Sequence, residues 1–172
     1  MRKTFLGEPI TSECVSCAIT NREFTIPGGI ICETENFQLH LDPEVPIEYF
    51  FIIGAKRHVR YMHELSAGEA AELASLLHRA RAVLNTLNSS VVFTLIIEER
   101  SQHLHAWLFP RLPWMDDFEN SLTSIRKIMV SAKKKYLSKE QRKKILNTAA
   151  EAARLFEEEL LTAREFKEET RI

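Results

Sequence analysis

Five short apolar runs follow one another too closely for helices to pass between most of them. They are GIICET (29–34), FQLHLD (37–42), EYFFIIG (48–54), VVFTLIIEE (91–99) and HLHAWLF (103–109). Gly29, Pro43 and Gly54 bound the first three, and such punctuation around β-branched and aromatic runs marks strands. Connections this short join antiparallel neighbours, because parallel strands need a crossover of a dozen or more residues. One helix interrupts the series. Ser66 and Glu69 form a capping box, and Ala70, Leu73, Leu77, Ala80, Leu84 and Leu87 recur at helical spacing before Asn88-Ser89-Ser90 ends the run. The pattern predicts an α+β fold, with an antiparallel sheet of about five strands and one long helix packed on it.

After Pro113 the character changes. Residues 121–136 read as a basic helix with Ile125, Ile128, Met129 and Ala132 as its apolar stripe. Ser138 and Gln141 form a second capping box, opening a helix to about Phe166 with Ile145, Ala149, Ala152 and Leu155 on one side. This divides the chain into residues 1–113 and a helical extension over 114–172. The extension reads as a helical hairpin packed on the sheet or on a second copy. The lysines of AKKKY (132–136) read as a solvated face.

With 45% hydrophobic and 27% charged residues among 172, the chain can bury a core, and general disorder is not expected. A formal charge of −1 argues against broad attraction to nucleic acid or anionic lipid. No apolar stretch reaches the roughly 20 residues of a membrane helix, and no signal-type apolar segment follows Met1-Arg2-Lys3-Thr4-Phe5. The expectation is a cytoplasmic protein with neither membrane nor nucleic-acid partners. In a reducing compartment Cys14-Val15-Ser16-Cys17 is a metal-binding or redox pair rather than a structural disulfide. The βαβ context of a thioredoxin-type redox motif is missing.

The chemistry concentrates in His103-Leu104-His105-Ala106-Trp107-Leu108-Phe109-Pro110-Arg111. Strand side chains alternate faces, so His103, His105, Trp107 and Phe109 point one way and Leu104, Ala106 and Leu108 the other. The two imidazoles then lie roughly 6.5–7 Å apart, suited to neighbouring tasks on one surface. Taken alone, His-x-His describes two hydrogen-bonded histidines without chemistry equally well.

The stretch resembles the signature of the histidine triad superfamily, in which His-x-His-x-His or His-x-His-x-Gln precedes apolar residues and often Pro-Arg. CVSCAI (14–19) is similar to that family's N-terminal Cys-x-x-Cys. GGIICETENFQLHLDPEVP (28–46) resembles its first hairpin, and FFIIGAKRHVRYMHELS (50–66) its strand leading to a Lys-x-His turn. The resemblance covers about Glu13 to Arg111 and leaves the C-terminal helices outside. It implies the same α+β fold, and attack by the middle histidine, here His105, on the α-phosphate of a nucleotide or nucleotide conjugate. A covalent nucleotidyl-histidine would then pass to water or another acceptor. Imidazole suits this role because its unperturbed pKa of about 6.5 leaves it largely neutral and nucleophilic near pH 7.

The resemblance also implies a structural zinc site of Cys14, Cys17, His58 and His103, a donor set suited to tetrahedral zinc. A reduced surface dithiol and an exposed turn histidine are the plain alternatives. Asp42 matches the family's ribose-binding acid, and Ile19, His40 and Pro43 match positions near the base. His40 reads equally well as a strand residue without a role. Cys32 reads as buried and inert, and His63 and His78 as exposed.

Two departures stand out. Trp107 replaces the third histidine or glutamine, and an indole has one donor, no acceptor and no charge. IIEERSQ (96–102) lacks the glycines and glutamine that usually precede the motif. Arg100 and Ser101 are candidate replacement phosphate donors, and a surface charge is the alternative for Arg100. Two functions remain: a hydrolase or nucleotidyl transferase acting through His105, and a zinc-stabilised nucleotide-binding or interaction module with little catalysis. Dinucleoside polyphosphates, nucleoside phosphoramidates and nucleotide sugars are all open as substrates. The resemblance and the long last helix make a homodimer plausible.

Overall fold

Alternation along the central strands sorts the protein into two layers of packing on either side of one sheet. A computed structural model describes residues 1–135 and 137–169, with the side chains of the last helix as far as Glu159. A small hairpin comes first, β1 (Arg2–Lys3) with β2 (Pro9–Ile10), followed by the short helix α1 (Val15–Thr20). Then come β3 (Ile30–Glu33), β4 (Phe37–Leu41), β5 (Phe51–Ala55), helix α2 (Ala67–Leu87), β6 (Val92–Glu98), β7 (His105–Arg111), α3 (Leu122–Lys134) and α4 (Lys139–Glu169). The five main strands form one antiparallel sheet in the order β3-β4-β5-β7-β6. β7 therefore slots between β5 and β6, and α2 carries the chain across the sheet to its outer strand.

On one face Leu39, Leu41, Phe51, Ile53, Leu104, Ala106 and Leu108 share a core with Leu73, Leu76, Ala80 and Leu84 of α2. Both capping boxes form: Ser66 Oγ accepts the Glu69 N–H at 3.2 Å while Glu69 accepts the Ser66 N–H at 2.7 Å, and Ser138 and Gln141 do the same at 3.1 and 3.0 Å. The opposite face carries Ile52, Trp107 and Phe109, covered by Phe50, Leu112 and Met115.

The two C-terminal helices do not form the expected hairpin on one surface. Ile145, Ala149, Ala152 and Phe156 of α4 join the first core beside α2, whereas Ile125, Ile128 and Ala132 of α3 join the second, against Trp107 and Phe109. Each stripe was readable as apolar, but a stripe does not say which face of a sheet it covers. α3 ends at Lys134, and its expected last residue, Tyr136, lies outside the described residues.

Gly28 shows how closely α4 is seated. Its φ is +81°, and a Cβ there would stand 2.7 Å from that of Ala149. Gly28→Ala combines a left-handed backbone with an overpacked contact and is expected to cost about 1–3 kcal/mol. Urea denaturation measures it, and a variant with the wild-type midpoint would contradict this tight seating. Among the described residues no helix is long and apolar enough to cross a membrane.

Candidate active site and metal cluster

The Cys-x-x-Cys sits where α1 begins. Cys14 occupies the residue before the helix and Cys17 its first turn, so both thiols lie at one end of α1. Ala18 and Ile19 hold that helix in a small third core with Ile10, Phe24 and Ile26. His58, in the segment after β5, and His103, just before β7, meet the thiols there. Cys14 Sγ lies 3.7 Å from His58 Nδ1 and 3.3 Å from His103 Nδ1, and Cys17 Sγ lies 3.1 and 3.5 Å from the same atoms. All four ligand atoms fall within 4.8 Å of one another. A tetrahedral ion with bonds of about 2.3 Å to sulfur and about 2.0–2.1 Å to nitrogen sets sulfur–nitrogen edges near 3.6 Å. The four distances straddle that value, so these residues fit a four-coordinate metal ion.

The donor chemistry agrees with the geometry. His103 Nε2 donates to the Ala55 carbonyl at 2.7 Å, which fixes the tautomer and leaves the Nδ1 lone pair facing the thiols. Burial and the adjacent Cys14 thiol push Cys17 up to about 11, a crowding that a bound cation relieves by holding both sulfurs as thiolates.

Two residues further on, His105 opens into a cleft of about 1230 Å³. Its Nδ1 lies 2.9 Å from the His103 carbonyl, so Nδ1–H donates there and Nε2 keeps a free lone pair. Burial, the largest influence, lowers its pKa below the ordinary histidine value. The ring is therefore a neutral, oriented imidazole with one basic nitrogen.

The residues singled out in the sequence as substrate-binding, namely Ile19, His40, Asp42, Pro43, Arg100, Ser101 and Trp107, all line this same cleft. His40 is 2% exposed, and its Nδ1 lies 2.7 Å from the Leu41 carbonyl. Burial lowers its pKa to about 4, so it is neutral at pH 7, with Nε2 an acceptor. Asp42 Oδ1 takes the backbone N–H groups of Glu44 and Val45, each at 2.8 Å. Burial raises its pKa to about 6, which still leaves it mainly ionised at neutral pH. Ser101 donates its hydroxyl proton to the His103 carbonyl and accepts the His103 N–H at 3.3 Å, so it braces the loop beside His105. Away from the cleft, His63 and His78 are exposed and Cys32 is buried, its thiol pKa raised chiefly by burial.

Trp107 is 6% exposed and meets Phe50 edge-on at 5.8 Å. Its Nε1 is buried without a hydrogen-bond partner. The guanidinium of Arg126, from α3, lies over the ring at 5.3 Å and pairs with Glu98 at 2.8 Å. Glu98, Arg126 and Lys133 line the cleft, yet the sequence reading passed over the first two and took Lys133 for part of a solvated face, whereas it faces the cleft and pairs with Glu44 at 3.3 Å. A signal existed: Arg126 and Lys133, two helical turns apart, share one edge of the apolar stripe of α3 with Met129 between them. It acquires meaning only once α3 is known to cover this face.

No family model and no curated protein matches the sequence. Among solved structures, the chain is similar to a hypothetical histidine triad nucleotide-binding protein from Sulfolobus tokodaii, with 20% identity and a TM-score of 0.58 over 82% of this chain and 92% of that one. It is similar to a zinc-bound histidine triad family protein from Mycobacterium smegmatis, with 19% identity and a TM-score of 0.56 over 84% and 96%. A uridylyltransferase aligns with 17% identity and a TM-score of 0.60, over 84% of this chain but 45% of its own. The fold is that of the histidine triad proteins.

Proposed function

We propose that this chain is a histidine triad family member that binds a nucleotide or nucleotide conjugate and cleaves it at the α-phosphorus through His105. The observation that carries the reading is the neutral, half-buried His105, oriented through Nδ1 with Nε2 as its nucleophilic atom, in a cleft of about 1230 Å³. In this reading Asp42, ionised at neutral pH, accepts ribose hydroxyls, and Ile19, His40 and Pro43 border the base; all four line the cleft. In the first step Nε2 forms a bond to phosphorus while the bond from phosphorus to the leaving group breaks. The leaving group departs with that electron pair and takes a proton from water. Water then attacks phosphorus, the phosphorus–nitrogen bond breaks, and the imidazole is regenerated.

Cys14, Cys17, His58 and His103 are proposed to hold zinc, which ties the N-terminal arm to the strand that carries His105. The expected experiment is a screen of dinucleoside polyphosphates, nucleoside phosphoramidates and nucleotide sugars, with rapid acid-free quenching and mass spectrometry of the peptide containing His105. A nucleotidyl adduct there supports the enzyme. Tight binding with neither turnover nor adduct across the panel supports the second reading, a zinc-stabilised binding module, which the burial of Trp107 at the motif's third position favours.

A further inference from the structure

We infer that Arg126, supplied by α3, is an anion-binding residue of this cleft and takes the phosphate contact that Trp107 cannot make. The inference rests on reading the cleft as a nucleotide site. Trp107 has no acceptor and no charge, and its one N–H is buried within the protein. Its ring serves instead as a shelf. The Arg126 guanidinium lies 5.3 Å from the ring centroid, a geometry in which the ring's face attracts the cation. Ile125, Ile128 and Ala132 anchor α3 in the core that contains Trp107, so the arginine is delivered by a packed helix.

Its position relative to the reacting nitrogen follows from the sheet. Arg126 pairs with Glu98 at 2.8 Å, and Glu98 stands opposite His105 in the β6–β7 register. Glu98 is held on its other oxygen by the Arg100 N–H at 2.8 Å. The Arg126 side chain remains 60% exposed. Glu98 is only 9% exposed, so the pair holds the guanidinium at the cleft through Nη2, and the remaining donors of the fork suit a phosphate better than a single-point contact does. A phosphate seated at His105 Nε2 would meet those remaining donors while Arg126 keeps its contact with Glu98 and α3 stays in place.

The test uses the full chain with Arg126→Gln and Arg126→Lys, both monitored by thermal melting. Calorimetry with AMP, GMP, CMP and UMP, the matching nucleosides, and pyrophosphate reads the effect. Arg126→Gln is expected to weaken nucleotide and pyrophosphate binding by roughly 10- to 100-fold while leaving nucleoside binding unchanged, and Arg126→Lys to recover part of the loss. Nucleotide binding by Arg126→Gln equal to wild type overturns the inference and leaves the proposed function standing. Arg126-dependent pyrophosphate binding with no gain from a nucleoside moiety does the reverse. A wild type that binds none of these probes overturns both.

Discussion

His105→Ala is expected to abolish the proposed turnover while leaving the fold and nucleotide affinity nearly intact. Nε2 of His105 is the atom assigned to bond phosphorus, and loss of a covalent nucleophile costs roughly 10³–10⁶ in rate. The ring is half-buried at the cleft and lies outside the two large cores, so its removal leaves little void. Its Nδ1–H is donated to a neighbouring carbonyl that also accepts from Ser101, and that carbonyl is not orphaned when the imidazole is lost. His105→Asn retains polarity but no nitrogen lone pair of imidazole basicity, and is expected to be equally inactive. Single-turnover kinetics on a substrate found by the screen, with binding followed separately by calorimetry, separates chemistry from affinity. An alanine variant as fast as the wild type would end the case for a nucleotidyl-histidine.

How much of this was legible beforehand differs from element to element. The alternation of His103 to Phe109 sorted the residues correctly: Leu104, Ala106 and Leu108 face α2 and α4, while Trp107 and Phe109 face α3. Period-two patterning survives folding because each sheet face must be covered. Both capping boxes were readable for the same kind of reason, since their hydrogen bonds are local. The strands Arg2–Lys3 and Pro9–Ile10 and the six-residue α1 were not, because elements so short carry no periodicity.

The four residues of the Cys14–Cys17–His58–His103 cluster came from motif resemblance. Cys14 and His103 are 89 positions apart, and nothing in their spacing predicts that Sγ and Nδ1 meet at 3.3 Å. Arg126 was hidden more deeply still. It looks like any charge on a basic helix until α3 is laid over Trp107, and that docking is a tertiary event which no stripe encodes.

Removing the metal is expected to release the N-terminal arm. α1 has six residues, well below the length at which a helix is stable alone, and Cys14 gives it no side-chain cap. The core beneath it is small, built from Ile10, Ala18, Ile19, Phe24 and Ile26. Beside that core, the arm meets the sheet through the four-residue cluster at His58 and His103 and through Gln38, whose Nε2 donates to Thr20 Oγ1 at 3.0 Å. In small metal domains the binding free energy is folding free energy, of order 10 kcal/mol for structural zinc. Protein purified without chelator is therefore expected to carry about one zinc per chain, and Cys14→Ser or Cys17→Ser close to none. Hydrogen exchange should then rise steeply across residues 9–26 and far less in α2, whose capping box and core contain none of the four cluster residues. Because His103 lies two residues before His105 and its carbonyl orients the His105 ring, the cysteine variants should also lose turnover without losing the sheet. Purified protein free of zinc, or an arm equally protected in the serine variants, would reduce the cluster to a dithiol beside two histidines and leave His105 to be positioned by the sheet alone.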